Sequence, residues 1–191
     1  MGWAAAVGVV ALVGMAGCTH GGPSGLGTSP AAVRHGTSSP SPTSSVDAQD
    51  AAKAANEAAA ISAYQHYFDM TQEVEQRPGM TGWEDEILPL VSGDCRQDLT
   101  NLYTQAQAQG LRATGPEVLV SSNSVDYVDD PSGAGHEQVV LDVCIDSTKK
   151  GLIFPDGSSA GSAGRGIVMV AMQHQNNQWT VDKSEDKDET C

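Results

Sequence analysis

The stretch His136-Glu137-Gln138-Val139-Val140-Leu141-Asp142-Val143-Cys144-Ile145-Asp146-Ser147 alternates apolar and polar residues with a period of two. That period belongs to a strand with one covered face. Leu141, Val143 and Ile145 share the buried side, and Asp142, Cys144 and Asp146 share the other. Working outward, the same reading extends over the C-terminal half. Glu117 to Tyr127 carries Val118 and Val120 on one face and Val125 and Tyr127 on the other. The switch across Ser121 to Ser124 predicts a bulge. Asp129 to Gly135 is a turn, and Lys149 to Ala163 is a loop with one short strand at Leu152-Ile153-Phe154. Arg165 to His174 is apolar on both faces, as in a central strand. Gln175-Asn176-Asn177 turns it into Gln178 to Ser184, where Trp179 and Val181 are expected inside.

Upstream the period becomes helical. Asp47 to Gln76 reads as one long helix with an Ala-rich start, Ile61, Tyr64, Phe68 and Thr71 at helical spacing, and Tyr67 and Val74 widening the stripe. Arg77-Pro78-Gly79 stops it. Trp83 to Val91 is a second short helix. Cys95 to Gln109 is a third, with Leu99, Leu102 and Tyr103 inward, ending at Gly110. The fold class is therefore α+β: N-terminal helices packed on a curved antiparallel sheet of about four strands.

The first residues carry a different signal. Trp3 to Ala16 is apolar or small and uncharged, too short to span a bilayer comfortably, and it fits a signal-peptide core. Ala16-Gly17-Cys18 matches the end of a bacterial lipoprotein signal. Residues 1–17 are then a signal peptide and Cys18 the acylated residue. Residues 18–46 are a Gly/Pro/Ser/Thr tether and 47–191 a single extracytoplasmic domain. Thr19 to Val46 cannot bury enough apolar surface to offset its ordering entropy. The net charge is −14, from 24 acids against 10 bases. Such a chain lacks the basic footprint of a nucleic-acid binder and repels anionic headgroups. Membrane contact is expected through the lipid on Cys18 alone, at the extracytoplasmic face of the cell membrane.

Cys95, Cys144 and Cys191 remain after Cys18. In an exported chain the simplest arithmetic is one disulfide plus one leftover thiol. Cys144 to Cys191 is the expected pair, with Cys95 to Cys191 the alternative. Asp142-x-Cys144-x-Asp146 is a poor metal triad, because mixed thiolate–carboxylate sets are uncommon. No phosphate loop, nucleophile elbow or paired-His motif is present, so no catalytic residue, metal or cofactor is assigned. Tyr64, Tyr67 and Trp83 are the candidate pocket residues. His66 and Asp69 read as a solvated pair.

Helices followed by an antiparallel meander, with Cys144-Ile145-Asp146 in one strand and Trp179-Thr180-Val181 in the last, resemble small actinobacterial lipoproteins with a cone-shaped domain like nuclear transport factor 2. The resemblance covers about residues 50–191 and implies a sheet wrapped around the long helix with a pocket at its open end. It does not fix an activity, since that fold hosts many. The leading expectation is a non-enzymatic module binding an unknown protein or a small apolar ligand. One alternative is an isomerase- or dehydratase-like enzyme using Tyr64, Asp69 or a buried acid such as Asp126. Another is a structural or secretion-assembly domain.

Overall fold

The computed structural model describes residues 43–130, 132 and 134–191. The signal segment, Cys18 and most of the tether lie outside the described residues. Helix α1 spans Thr43–Glu75, starting before the expected Asp47. Its buried residues, Ala60, Tyr64, Tyr67, Phe68, Thr71, Val74 and Glu75, recur at three- and four-residue steps and form one stripe. After the Pro78–Met80 turn come α2, Trp83–Glu86, and a 3-10 turn, Leu88–Leu90. Pro89 splits what the sequence presents as one helix. Helix α3, Gly93–Gln109, buries Cys95, Leu99, Tyr103 and Ala106. It ends where Gly110 adopts φ 66° and donates to the Ala106 and Gln107 carbonyls.

Among the described residues seven strands follow. Strands β2 (Val118–Val128), β3 (Gln138–Asp146), β6 (Arg165–Gln175) and β7 (Gln178–Lys187) form an antiparallel sheet in the order β2-β3-β6-β7. Strands β1 (Arg112–Thr114), β4 (Gly151–Ile153) and β5 (Ser159–Ser162) form a small second sheet in the order β1-β4-β5. The sequence shows only β4 of that sheet. Three- and four-residue strands carry too little alternation to be seen alone.

The helices cover one face of the large sheet. Val139, Leu141, Val143 and Ile145 of β3 meet Val168, Val170 and Met172 of β6, with Trp179 and Val181 of β7 beside them. All belong to the same core as Tyr64, Phe68, Ile87, Leu99 and Tyr103. β6 is central, as expected, but its second face, Ile167, Met169 and Ala171, is only partly covered. β2 has two register breaks, at Leu119/Ser121 and Ser124/Asp126, where one bulge was expected. Val91 bridges Val181 in parallel, and Ser92 N–H donates to the Val181 carbonyl at 2.8 Å. This docks the start of α3 on β7.

Cys144 and Cys191 form a disulfide with a Cα separation of 5.9 Å. It closes a loop across 47 positions of sequence. Constraining a loop of that length in the unfolded chain stabilises the fold by about 4 kcal/mol. A Cys144→Ser/Cys191→Ser variant is therefore expected to lose about 2–4 kcal/mol in urea denaturation. Reductant should lower the parent by at least as much, because it also opens the bond in which Cys95 is engaged and which the variant keeps. An unshifted variant midpoint would refute the stabilising role.

Candidate functional site

The most unusual chemistry in the interior is a charged cluster at the lower end of α1. Glu75 is the last residue of that helix and lies on its buried stripe, 2% exposed. Glu117 stands just before β2. It is fixed from α1 by Gln72, whose Nε2 donates to Glu117 Oε2 at 2.7 Å. Glu117 N–H donates back to Gln72 Oε1 at 3.0 Å. Lys150 precedes β4 in a turn closed by its own N–H donating to the Ser147 carbonyl at 2.9 Å. Its ammonium lies 2.5 Å from Glu75 Oε2 and 3.0 Å from Glu117 Oε2, and the three side chains are 4%, 2% and 7% exposed. Tyr103 of α3 donates to Glu75 Oε1 at 3.2 Å, and Ser147 Oγ donates to Glu117 Oε1 at 2.6 Å. Gly115 makes this approach sterically feasible. At φ 77° it packs so closely that a Cβ would collide with the Lys149 carbonyl oxygen.

One ammonium serves two carboxylates, so the cluster is short of positive charge. Burial raises the Glu75 pKa above the usual carboxylate range; Lys150 opposes this without reversing it. Burial also works against the Lys150 charge. There the two carboxylates win, and the lysine pKa is raised. Burial pushes the Tyr64, Tyr67 and Tyr103 hydroxyls well above the ordinary phenol value, with Glu75 and Glu117 adding to the effect among them.

A cavity of about 170 Å³ opens beside the cluster, at the ends of β3, β6 and β7. Ile145, Ile167 and Val168 form its apolar wall, and Glu117, Arg165 and Asp186 its polar one. Asp186 is raised by burial. The cavity is smaller than the roughly 300–1,000 Å³ of most ligand sites. Glu117, the cluster member on its wall, is already engaged by Gln72, Ser147 and Lys150.

The residues singled out from sequence fall elsewhere. Tyr64, Tyr67 and Trp83 are 2%, 7% and 3% exposed and belong to the core. The Tyr64 and Tyr67 rings lie 5.9 Å apart, and Trp83 stacks on Tyr103 at 5.6 Å. These three fill the interior and line neither described cavity. His66 and Asp69 are exposed on α1. Asp126, taken as a buried acid, is exposed and accepts from the Tyr127 N–H at 2.9 Å. The Cys144 sulfur is committed to Cys191, so Asp142-x-Cys144-x-Asp146 contains no free thiolate. Cys95 is 1% exposed within the core and is itself disulfide-bonded, so the expectation of one leftover thiol is corrected: no described cysteine is free.

The buried acids are Glu75 and Glu117. Glu75 had a visible signal, since it continues the apolar spacing of Tyr64, Phe68 and Thr71. Lys150 and Glu117 had none, because neither sits in a periodic segment.

No family model and no curated protein matches the chain. Among solved structures, the crystal structure of the intermembrane space region of the chloroplast protein ARC6 is similar. The TM-score is 0.51, over 68% of this chain and 95% of that one, at 10% identity. At that identity the likeness is one of fold alone.

Removing Lys150 strands two buried carboxylates. Lys150→Met is expected to destabilise by about 3–5 kcal/mol in urea. Adding Glu75→Gln should recover part of the loss; a single variant as stable as the parent would contradict the tie. The tyrosines give a second test. Their folded pKa values, like that of Lys150, are raised, so the stability they add is present below the unfolded values and lost as pH rises through the folded ones. Absorbance titration should find three of the four tyrosines silent until far-ultraviolet ellipticity collapses. Tyr127, largely outside the core, ionises before them. Smooth ionisation of all four around pH 10 in folded protein would refute the burial assignments.

Proposed function

We propose that the chain is a membrane-anchored extracytoplasmic lipoprotein whose α+β domain is a non-enzymatic binding module, with a protein as its occupant. The observation that carries the binding reading is the closure of the charged cluster. Lys150, Glu75, Glu117, Tyr103 and Ser147 use their polar atoms on one another. The cavity beside them is small. An enzyme turns its polar groups toward a substrate and keeps them free to change protonation. Here Tyr64, Asp69 and Asp126, the groups an isomerase-like reading needs, do not share a site: one is in the core and two are in solvent. The Cys144–Cys191 disulfide supports an oxidising compartment. The lipid on Cys18 remains the proposed route to the membrane.

Native mass spectrometry of the purified, disulfide-bonded protein is the first test. The expected mass is that of the polypeptide and its lipid, with nothing further bound. A discrete added small molecule would overturn the protein-binding reading in favour of a ligand pocket. For the anchor, Cys18→Ala should abolish palmitate labelling and release the protein from the membrane fraction. A parent protein that is membrane-bound without label would overturn it.

A further inference from the structure

Strand β2 is built inside out. Its inner row, Leu119, Ser122, Ser124 and Tyr127, faces α1 and is mostly polar. Ser124 Oγ donates to Glu57 Oε1 at 2.8 Å, and Asn56 Nδ2 donates to the Tyr127 hydroxyl at 3.0 Å. Its outer row carries Val118, Val120, Val125 and Val128, which are 50%, 46%, 54% and 50% exposed. The valines are not evenly spaced, and the two bulges explain how they share a side. In a bulge two residues oppose one partner. Val120 joins Ser121 opposite Cys144, and Val125 joins Asp126 opposite Val140; both partners belong to the outer row of β3. The register breaks thus keep four valines in water, where a strand with one wet face normally shows polar residues.

The apolar surface continues inward from this edge. A depression of about 100 Å³ lies between Val140, Met169 and Ala171, with Lys183 and Glu185 at its far rim. It has room for a single aliphatic side chain. Charge is divided across the face. The bases of β7 are engaged, Lys183 with Glu185 at 2.5 Å and Lys187 with Asp142 at 3.9 Å. No Lys or Arg occurs in β2 or β3. Exposed Asp126 stands beside Val125 on the outer row, and Asp129, just past the strand, accepts from the inward Tyr127 hydroxyl at 3.4 Å.

We infer that the outer face of β2 and β3 docks an amphipathic segment of a partner protein whose apolar stripe is flanked by lysine or arginine. The inference rests on the binding-module reading and names its surface. A second copy is disfavoured, because each chain carries −14. A membrane surface is disfavoured because anionic headgroups repel the same acids.

The test uses the full lipidated chain in neutral-lipid nanodiscs, with empty nanodiscs as control. Two fluorescent peptides are titrated, a Leu/Lys amphipathic helix and a Leu/Glu helix of the same length. Binding of the Leu/Lys peptide is expected, weakened about tenfold by Val120→Thr/Val125→Thr, which removes two aliphatic contacts at unchanged shape. Asp126→Asn/Asp129→Asn should weaken it several-fold, and Val46→Thr, on an exposed valine of α1, should not. If the threonine pair does not fold, the asparagine pair alone decides. Equal affinity in the threonine pair means attraction to charge only and overturns the inference. So does preference for the Leu/Glu peptide, or a dimer of the parent that the threonine pair dissolves. If the inference fails while native mass spectrometry still finds no small molecule, the binding module stands with a different surface; a bound small molecule removes both.

Discussion

The Lys150 ammonium, held between Glu75 and Glu117, is the contact through which the halves of the molecule depend on each other. Glu75 ends α1, Glu117 leads into β2, Lys150 leads into β4, and Tyr103 brings in α3. Four segments far apart in sequence meet within hydrogen-bond reach of one another. A buried ion cluster is weak evidence of net stability, since its desolvation offsets most of its attraction. Its effect here is positional. An apolar contact in the same place would tolerate sliding, whereas a carboxylate that must find one ammonium, one hydroxyl and one amide has a single arrangement.

That arrangement propagates along β2. The paired bonds between Gln72 and Glu117 set where the strand starts against α1. From there α1 meets β2 through hydrogen bonds, at Ser124 and Tyr127, rather than through interdigitated aliphatic side chains. With the polar side committed to the helix, the apolar side has to face outward. The exposed valines are therefore a consequence of how the helix is attached, and the bulges are the devices that keep them aligned. The sheet gains its tight core from β3, β6 and β7, while β2 is a polar-backed flange at its edge.

How much of this was legible in sequence follows from which signals are local. β3 announced itself through period two, β6 through a run apolar on both faces, and the Cys144–Cys191 pair through the position of the tail, whereas the odd count of three cysteines misled, because Cys95 is bonded as well. The helical stripe of α1 was readable residue by residue. Tyr64, Tyr67 and Trp83 were legible as inward-facing, but a large aromatic at a buried position looks the same whether it plugs a core or lines a pocket. Only the filled space around it distinguishes the two. The charged cluster was illegible because its members come from a helix end, a strand lead and a loop, and their pairing is purely tertiary. Asp126 was misjudged for a related reason. A bulge changes which face a residue occupies, and alternation read through an undetected bulge assigns the wrong side.

The acidic tail covers one end of the outer face. Ile167 N–H donates to the Glu189 carbonyl at 3.1 Å, and Cys191 is bonded to Cys144 on the outer row of β3. The chain after β7 therefore crosses the outside of the sheet over the start of β6. Residues this acidic have little apolar surface to hold them there, so the covalent bond supplies what packing does not. The strap occupies the end of the face where Arg165 and Lys187 already lie, and Lys187 reaches Asp142 from there. What stays open is the other portion: the β2 valines, Val140 and the depression beside it, bordered by Asp126 and by no base from β2 or β3. The disulfide thereby divides the outer surface into a closed, internally neutralised part and an open, apolar part with unpaired negative charge. That division is the physical reason to expect a partner of opposite charge on the open part.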